Sequence, residues 1–390
     1  MVIEQSGIAV GFDLGRDYSQ ITFCSRSSAE PITVMQTGAD GRKSSLIPTP
    51  EGLFAKVEQK DAHAVELLCD YFRQCFDLMK TAGRPEGMTV MVTMHEMKGV
   101  WADAIKNALR RMGIPSAGIF LQGHLESFYT YAMNQKKELL MYHIALLEYD
   151  RDSITAWHLW LERRTKPVLA RTEKCFRLFL DRKARKGRGD EDWGKLRDGL
   201  LHKNLEKMFE NVPFSCVYLV GKEFDNGWMD KSLRFLCRKR HVFQGENLYT
   251  RGACYAAMEE NGANRLKGVL YAGEDMVSHN VGMWMEIRGE GGYYPLVNAG
   301  VNWYMAEHTC EFLLKGENDI ILYSRSIKGE EMEHTLSLNE LPERPKRATR
   351  IRLTVRFTAK NRCRVLAEDL GLGELYPSSQ KKWEATIKLP

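Results

Sequence analysis

The feature that most constrains the fold is a change of pattern late in the chain. Before the change, apolar runs such as Met88–Met94 alternate with helix-like segments such as Val100–Met112. After it, no segment has convincing helical periodicity, and Ile351–Thr358 alternates apolar with polar residues as a half-buried strand does. Alternating strands and helices predict an α/β domain, whereas successive strands predict an all-β domain. We therefore predict two domains, residues 1–272 and 277–390.

The composition is that of a globular chain. It has 390 residues, 44% hydrophobic and 27% charged, which is enough for two or three domains with sizeable cores. A net charge of +5 over this length is too small to indicate nucleic-acid binding. The densest basic run, 181–189, is followed directly by acidic residues 190–192, and we interpret it as a solvated loop. No nucleic-acid partner is expected.

The cysteine pattern and the hydropathy of the chain indicate its cellular compartment. The nine cysteines are scattered without a CxxC pair, so they support neither a zinc site nor a thioredoxin-type centre. No apolar stretch reaches membrane-spanning length, and no cleavable hydrophobic segment begins the chain. We expect a reducing cytoplasm and no membrane partner.

The segment Gly11–Phe23 has the pattern of strand, tight turn and strand, with Asp13 at the turn. Clustered backbone N–H groups in such a turn form an anion-binding concavity, and Asp13 would hold Mg²⁺ through its water shell. On this segment alone, a plain hairpin with a glycine at the bend is the favoured interpretation.

A second segment repeats this pattern further along the chain. The apolar run Leu140–Leu147 is followed by polar residues and by a second strand, Ile154–Trp160. Residues 173–210 are predicted to be largely helical. A strand that ends at Gly221 and a helix over Leu248–Met258 complete this half of the domain.

In this order the segments resemble the actin-like ATPase superfamily, which includes sugar kinases and the Hsp70 chaperones. The two phosphate hairpins of that family are similar to Phe12–Phe23 and Leu147–Trp160, and the adenosine turn to Val217–Asp225. Its two connecting helices are similar to Leu121–Met133 and Asn247–Met258. The resemblance implies an α/β actin-like ATPase domain, that is, a duplicated ribonuclease H-like domain.

The second domain resembles the Hsp70 peptide-binding domain. The similar segments follow one another in the Hsp70 order and are Tyr294–Gly300, Leu336–Pro342, Ile351–Phe357 and Arg364–Gly373. The resemblance implies an all-β sandwich at 277–390 that binds a polypeptide client or protein partner, without a helical lid. Residues such as Met283, Trp284 and Met285 would line a peptide groove, although an ordinary sandwich core is the favoured use of most of them.

The resemblance also implies ATP or ADP with Mg²⁺ in the first domain. Asp13 and Asp150 would hold Mg²⁺ and position the attacking water, and Lys56 would stabilise charge on the γ-phosphate. The other nucleotide contacts that it implies are Gly15, Arg16, Asp17, Tyr18, Arg151, Gly221, Lys222 and Gly252.

Several departures from the family pattern fall at this site. Arg16 and Asp17 stand where Hsp70 proteins have small hydroxyl residues, and Glu148–Ser153 lacks the usual glycines. Gln122 and His124 stand where the connecting helix normally offers an acid. Because tight backbone approach to phosphate needs glycine, we expect ATPase activity to be weak or absent.

Three functional hypotheses follow. The favoured one is a lidless Hsp70-like chaperone or partner-binding protein with a degenerate ATP-binding domain. The second is an active ATPase or kinase of the actin-like superfamily. The third is a non-catalytic scaffold whose cleft is filled by Arg16, Arg151 and Lys222.

The histidines at His95, His124 and His143 have no metal-ligand spacing, so we expect ordinary polar or core roles for them.

Overall fold

The computed structural model describes residues 7–25, 30–37, 41–79, 87–180, 189–316, 318–326 and 329–390. The chain divides after Gly273 into two compact units, and the second comprises Glu274–Pro390. The basic run that was predicted to be a solvated loop lies, from 181 to 188, outside the described residues. Among the residues described, no helix has the length and apolar character needed to cross a membrane.

The first half of the N-terminal unit is built on a mixed sheet. Its strands are β1 (Ile8–Asp13), β2 (Tyr18–Cys24), β3 (Ile32–Thr33), β4 (Gln36–Thr37), β5 (Lys43–Ser44), β6 (Ile47–Pro48), β7 (Met88–Met94) and β8 (Ile119–Gly123). The sheet order is β3-β2-β1-β7-β8, with β6 beside β2 and with β4 and β5 paired separately. The helices of this half are α1 (Leu53–Glu58), α2 (Ala64–Asp77) and α3 (Gly99–Arg111).

The second half begins with helix α4 (His124–Met133) and has its own mixed sheet. Its strands are β9 (His143–Asp150), β10 (Ser153–Glu162), β11 (Val168–Phe179), β12 (Phe214–Val220), β13 (His241–Gln244) and β14 (Val269–Ala272). They run in the order β13-β12-β9-β10-β11-β14. The remaining helices are α5 (Asp190–Phe209), α6 (Asp230–Leu236) and α7 (Leu248–Glu260).

The two halves share one topology. In each, the first strand is central, with an antiparallel hairpin partner on one side and two parallel strands on the other. β7 and β12 are mostly apolar and are buried along their whole length, as expected for parallel strands covered on both faces. The N-terminal unit is therefore a duplicated α/β domain.

Two helix boundaries differ from the sequence prediction. Residues 173–179, predicted to be helical, belong to β11, which pairs with β10 and β14. Pairing on both sides supplies the backbone hydrogen bonds that helical propensity alone does not outweigh. Leu121 and Gln122, placed in the connecting helix, belong to β8, and α4 begins at His124.

Helices α4 and α7 cross at close range, and this crossing positions the site. A Cβ atom at Gly252 would lie 2.0 Å from the carbonyl oxygen of Ser127, so glycine is required where the two helices touch. Gly252, which the resemblance assigns to nucleotide binding, therefore lies in the helix crossing. The crossing sets the first turn of α7, with Tyr249, beside His124 at the first residue of α4.

The C-terminal unit consists of two antiparallel four-stranded sheets. Its strands are β15 (His279–Ile287), β16 (Glu290–Val297), β17 (Glu307–Leu313), β18 (Asp319–Ser326), β19 (Glu331–Ser337), β20 (Arg350–Ala359), β21 (Arg362–Asp369) and β22 (Lys382–Lys388). The sheet orders are β16-β15-β18-β19 and β17-β20-β21-β22. Alternate residues of β20 are buried, in agreement with its alternating sequence, and they share one core with buried residues of β15 and β18.

Candidate functional site

The site lies where the carboxyl ends of the central strands of both halves come together. Asp13 is the last residue of β1, His95 follows β7 directly, and His124 follows β8. Because β1, β7 and β8 are parallel neighbours, their carboxyl ends meet at one edge of the first sheet. Glu148 reaches the same place from β9 of the second half. Ligands of open α/β sheets commonly bind at such an edge.

Asp13 and Glu148 occupy equivalent positions in the two halves. Asp13 pairs with Gln20 across the first hairpin, enclosing residues 14–19. Glu148 pairs with Thr155 across the second hairpin, enclosing residues 149–154, a segment of the same length. The resemblance implies Asp150 as the second acid, and this residue lies exposed at the end of β9 and lines the cleft.

The centre of the site is a hydrogen-bonded and ionic cluster around His124. His124 Nε2 lies 2.8 Å from Asp13 Oδ1, and His124 Nδ1 lies 3.7 Å from Glu148 Oε1. His95 Nδ1 also lies 3.7 Å from that Glu148 oxygen, and the hydroxyl of Tyr249 donates a hydrogen bond of 3.0 Å to it. The ring of Tyr249 stacks on His124 with centroids 3.8 Å apart. Groups from both halves are thus joined through one imidazole.

Electrostatics in this cluster favour the ionised forms. Burial alone would lower the pKa of His124, but Asp13 and Glu148 raise it to about 9. Burial alone would raise the pKa of Glu148, but His124 and His95 lower it well below its usual range. Contact with Glu148 raises the pKa of His95. At neutral pH, and with no metal bound, His124 is therefore an imidazolium held between two carboxylates.

A cavity of about 420 Å³ opens in front of this cluster. It is lined by both hairpin tips, by α1 and by the segment after β7; its residues include Gly15, Arg16, Asp17, Tyr18, Phe54, Glu58, His95, Lys98, His124, Glu148, Asp150, Arg151 and Gly221. Most residues that the resemblance assigned to nucleotide binding therefore line one cavity.

The cationic residues at the mouth of the cavity contact the protein itself. Arg16 lies 3.8 Å from Glu58 and over the ring of Phe54, and Arg151 lies 3.7 Å from Asp17 of the opposite hairpin. These pairs are largely exposed, and such pairs contribute about 1 kcal/mol or less. They occupy the mouth without closing it firmly.

The remaining predicted residues have distinct positions. Lys222 lies with Nζ 4.9 Å from the ring centroid of Tyr18. Gly221 has a φ of 123°, and a Cβ atom there would lie 2.4 Å from the carbonyl oxygen of Tyr149, so the fold itself requires this glycine. Lys56 is exposed on α1 and is not among the residues that line the cavity. Lys98, which the sequence analysis did not select, lines it and lies 3.6 Å from Glu58.

The donor set around Asp13 does not fit a magnesium site. Mg²⁺ selects oxygen ligands in octahedral geometry, whereas Asp13 is bonded to the imidazole of His124, and the imidazole of His95 lies against the neighbouring Glu148. One oxygen of Asp13 is already bonded to His124. From the sequence these histidines are expected to have ordinary polar or core roles, whereas both lie 3.7 Å from Glu148. His143, by contrast, stacks on Trp160 and contacts His158 on the second sheet.

Comparisons with known proteins identify families without assigned functions. Residues 51–274 match the model described as "Family of unknown function (DUF5716) C-terminal", and residues 276–389 match "Domain of unknown function (DUF8552)". No curated protein matches the chain significantly.

Two solved structures to which the chain is distantly similar are sugar kinases. The inorganic polyphosphate/ATP-glucomannokinase of Arthrobacter sp. strain KM has 12% identity and a TM-score of 0.40, covering 65% of this chain and 98% of its own. The ROK hexokinase of Thermus thermophilus has 12% identity and a TM-score of 0.37, covering 65% of this chain and 99% of its own. These scores are too low to support an argument about this chain.

Proposed function

The chain belongs to the family of unknown function DUF5716, and from the geometry of the cleft we propose that it is a partner-binding protein whose actin-like unit does not hydrolyse ATP. The observation that carries this proposal is the 2.8 Å contact between His124 Nε2 and Asp13 Oδ1. It places a positive charge from the protein at the carboxylate to which the resemblance assigns Mg²⁺.

To reach Asp13, Mg²⁺ would have to displace the positively charged ring of His124. A charge-assisted hydrogen bond between imidazolium and carboxylate is stronger than a neutral one, and both groups here are only 13% and 15% exposed. Mg²⁺ would have to break this bond and would lie beside a like charge on His124. The hydrolysis of ATP depends on a metal ion placed between the phosphates and the protein, so this arrangement opposes it.

The first experiment measures nucleotide binding and turnover. The melting temperature of the purified chain is compared with and without millimolar MgATP and MgADP, and phosphate release is followed in parallel. We expect no magnesium-dependent shift and no release above buffer. Turnover that disappears in Asp13→Asn would overturn the proposal.

A second variant tests the role of His124 directly. His124→Glu restores an acid near the start of the connecting helix and removes the imidazolium, leaving three carboxylates that need a cation. We expect Mg²⁺ to raise the melting temperature of His124→Glu and to leave that of the unmodified chain unchanged. His63→Glu, at an exposed histidine on the same unit, is the matched control and is expected to show no magnesium response.

A second candidate function, an active ATPase or kinase, has one observation in its favour. The cavity of about 420 Å³ is lined by Arg16, Lys98 and Arg151, whose ion pairs are exposed enough to exchange a carboxylate for a phosphate. Stabilisation by nucleotide together with turnover would favour this candidate.

The polypeptide partner belongs to the C-terminal unit in this proposal. A groove of about 760 Å³ there is lined by apolar side chains that include Met283, Trp284, Met285 and Phe312. Trp284 is 62% exposed, and Met-rich surfaces adapt to varied apolar partners. The test is anisotropy of labelled apolar peptides with the full chain. Saturable binding weakened by Trp284→Ala, but not by Leu375→Ala at an exposed apolar residue outside the groove, would support a chaperone-like role.

A further inference from the structure

We propose that His95, His124 and Glu148 form a binding site for a first-row transition metal ion of the Zn²⁺ type. The inference goes beyond the proposed function, because it concerns a different ion and does not depend on nucleotide. It rests on three observations: the spacing of the ligand atoms, an unpartnered nitrogen aimed at the site, and an outer shell that fixes it.

The spacing is close to that of a metal-bound set. The three ligand atoms lie within 4.8 Å of one another, and both histidine Nδ1 atoms lie 3.7 Å from Glu148 Oε1. A tetrahedral Zn²⁺ ion with bonds of about 2.0–2.1 Å separates its ligand atoms by about 3.3 Å. To reach this spacing, each histidine nitrogen must approach Glu148 by about 0.4 Å, and the two imidazole nitrogens, which lie within 4.8 Å of one another, must approach by up to about 1.5 Å. His95, with a side chain 68% exposed, has room to make most of this adjustment.

The unpartnered nitrogen is Nδ1 of His124. It is buried and has no hydrogen-bond partner within the part of the chain that the structure describes. A buried polar atom without a partner is costly and calls for an explanation such as an ion. With the Nε2 proton of His124 directed at Asp13, a neutral ring would turn the Nδ1 lone pair towards Glu148 and the cavity.

The outer shell has the form that metal-binding histidines commonly have. Asp13 accepts the hydrogen bond from Nε2 of His124, which sets the tautomer that leaves Nδ1 free to coordinate. Tyr249 stacks on the same ring and donates to Glu148, so it orients two of the three ligands. Neither Asp13 nor Tyr249 needs to move for the metal to bind.

The donor set decides the class of metal. Two imidazoles and one carboxylate suit Zn²⁺, Co²⁺ or Ni²⁺, whereas Mg²⁺ and Ca²⁺ select oxygen. The three ligands leave the fourth tetrahedral position towards the cavity of about 420 Å³, where water or an anionic group of a ligand would fit. Because His95 and Glu148 belong to different halves, the bound ion would also link the two halves of the unit.

The test is metal binding to the full chain after chelator treatment, with no nucleotide present. The exposed thiols of Cys175 and Cys237 are replaced by serine in every sample, because thiols compete for the same ions. Zn²⁺ is titrated by calorimetry, and Co²⁺ serves as a spectroscopic probe. We expect one equivalent of either metal, with visible d–d bands and without the near-ultraviolet band of thiolate coordination.

His95→Ala is the decisive variant, because its exposed side chain can be removed without disturbing the core. We expect zinc affinity to fall by at least about tenfold, by analogy with the loss of even outer-shell partners. His63→Ala is the matched control, since His63 is also exposed and its Nδ1 lies 3.8 Å from Glu66. Affinity should be unchanged in this control.

Three results would overturn the inference: no stoichiometric zinc binding, unchanged affinity in His95→Ala, or a thiolate band in the cobalt spectrum. Unfolding curves of both variants confirm that each is folded before its affinity is compared. Because the assay contains no nucleotide, its failure would leave the proposed lack of ATP hydrolysis untouched. Conversely, discovery of MgATP turnover would not remove a zinc site shown in this way.

Discussion

Two networks in this chain place a carboxylate against a cationic side chain. They differ in how many of their hydrogen-bonding groups have a partner. In the C-terminal unit, both oxygens of Asp369 accept hydrogen bonds from Arg344, at 2.9 and 2.8 Å. The backbone N–H groups of Gly371 and Ser379 and the hydroxyl of Ser379 donate to the same carboxylate. In the cleft, His124 Nδ1 has no hydrogen-bond partner among the described residues, lies 3.7 Å from Glu148, and faces a cavity.

The difference separates a structural network from a functional one. The side chains of Asp369 and Arg344 are 0% and 5% exposed, and their bonds hold the turn after β21 against the segment before β20. Both oxygens of Asp369 already accept hydrogen bonds from groups in the described part of the chain. In the cleft network, His124 Nδ1 has no hydrogen-bond partner among the described residues, and the side chain of His95 is exposed, so this network can still bind a ligand.

The largest expected effect sharpens the structural side of this comparison. Asp369→Ala leaves Arg344 buried and uncompensated, and removing one partner of a buried pair costs about 3–5 kcal/mol. The measurement is the free energy of unfolding of the C-terminal unit in denaturant. Glu384→Ala is the matched control, because Glu384 also makes a two-pronged bond to an arginine, Arg364, but on the surface. A loss in Asp369→Ala no larger than in the control would contradict the structural assignment.

The same network predicts a pH dependence. Burial alone would raise the pKa of Asp369, but Arg344 and Ser379 lower it well below its usual range. A carboxylate whose folded pKa is depressed contributes stability above its unfolded pKa, which is about 3.9 for Asp. This contribution is lost as the pH falls below that value. Stability of the C-terminal unit measured from pH 6 to pH 2 should therefore fall less steeply in Asp369→Asn.

The next effect tests the cleft network. Asp13→Asn removes the charge that faces His124 but keeps an acceptor oxygen, and replacing a charge-assisted hydrogen bond with a neutral one costs about 1 kcal/mol. We expect a smaller loss in the free energy of unfolding than for Asp369→Ala, because water in the adjacent cavity can solvate the histidine. Asp70→Asn, in an exposed pair with Arg73, is the control and should change the free energy of unfolding by less than about 0.5 kcal/mol. An equal or greater loss in Asp13→Asn than in Asp369→Ala would break the comparison.

The sequence predicts much of the scaffold that carries these networks. The strict alternation of Ile351–Thr358 predicts β20, and the apolar run Met88–Met94 predicts β7. The turn after β1 predicts Asp13 at the end of a strand, and Asp13 is the last residue of β1. These features depend on residues that are close together in the chain, so a local sequence pattern is enough to predict them.

The rest of the site depends on contacts between distant segments. The second hairpin offers acids at Glu148, Asp150 and Asp152, and sequence alone does not fix which one matches Asp13, since that depends on strand register. His95 and His124 have no ligand spacing, because parallel pairing of β7 with β8 brings them together. One sequence feature could have indicated the site. His95 directly follows the predicted strand Met88–Met94, and ligands of open α/β sheets commonly bind at the carboxyl ends of such strands.

A smaller effect concerns the outer shell of the cleft. Tyr249→Phe keeps the ring that stacks on His124 and removes the hydroxyl that donates to Glu148. If the cleft binds zinc, its affinity should fall by about tenfold, as for other outer-shell partners. Tyr255→Phe on the same helix removes a similar bond, to Glu30, and should leave zinc affinity unchanged. Equal affinities for both variants would mean that the hydroxyl of Tyr249 has no part in orienting the ligands.

The smallest effect is expected at the mouth of the cleft, where Arg151 meets Asp17 across the two hairpins. Their side chains are 60% and 70% exposed, and such pairs contribute about 1 kcal/mol or less. A double-mutant cycle with Arg151→Ala and Asp17→Ala measures the coupling in the free energy of unfolding. Coupling well above this level would show that the pair locks the two halves as firmly as Arg344 holds Asp369. The ion pair at the mouth of the cleft would then have a structural role. The contrast with the fully hydrogen-bonded network of Asp369 would apply only to the cluster around His124.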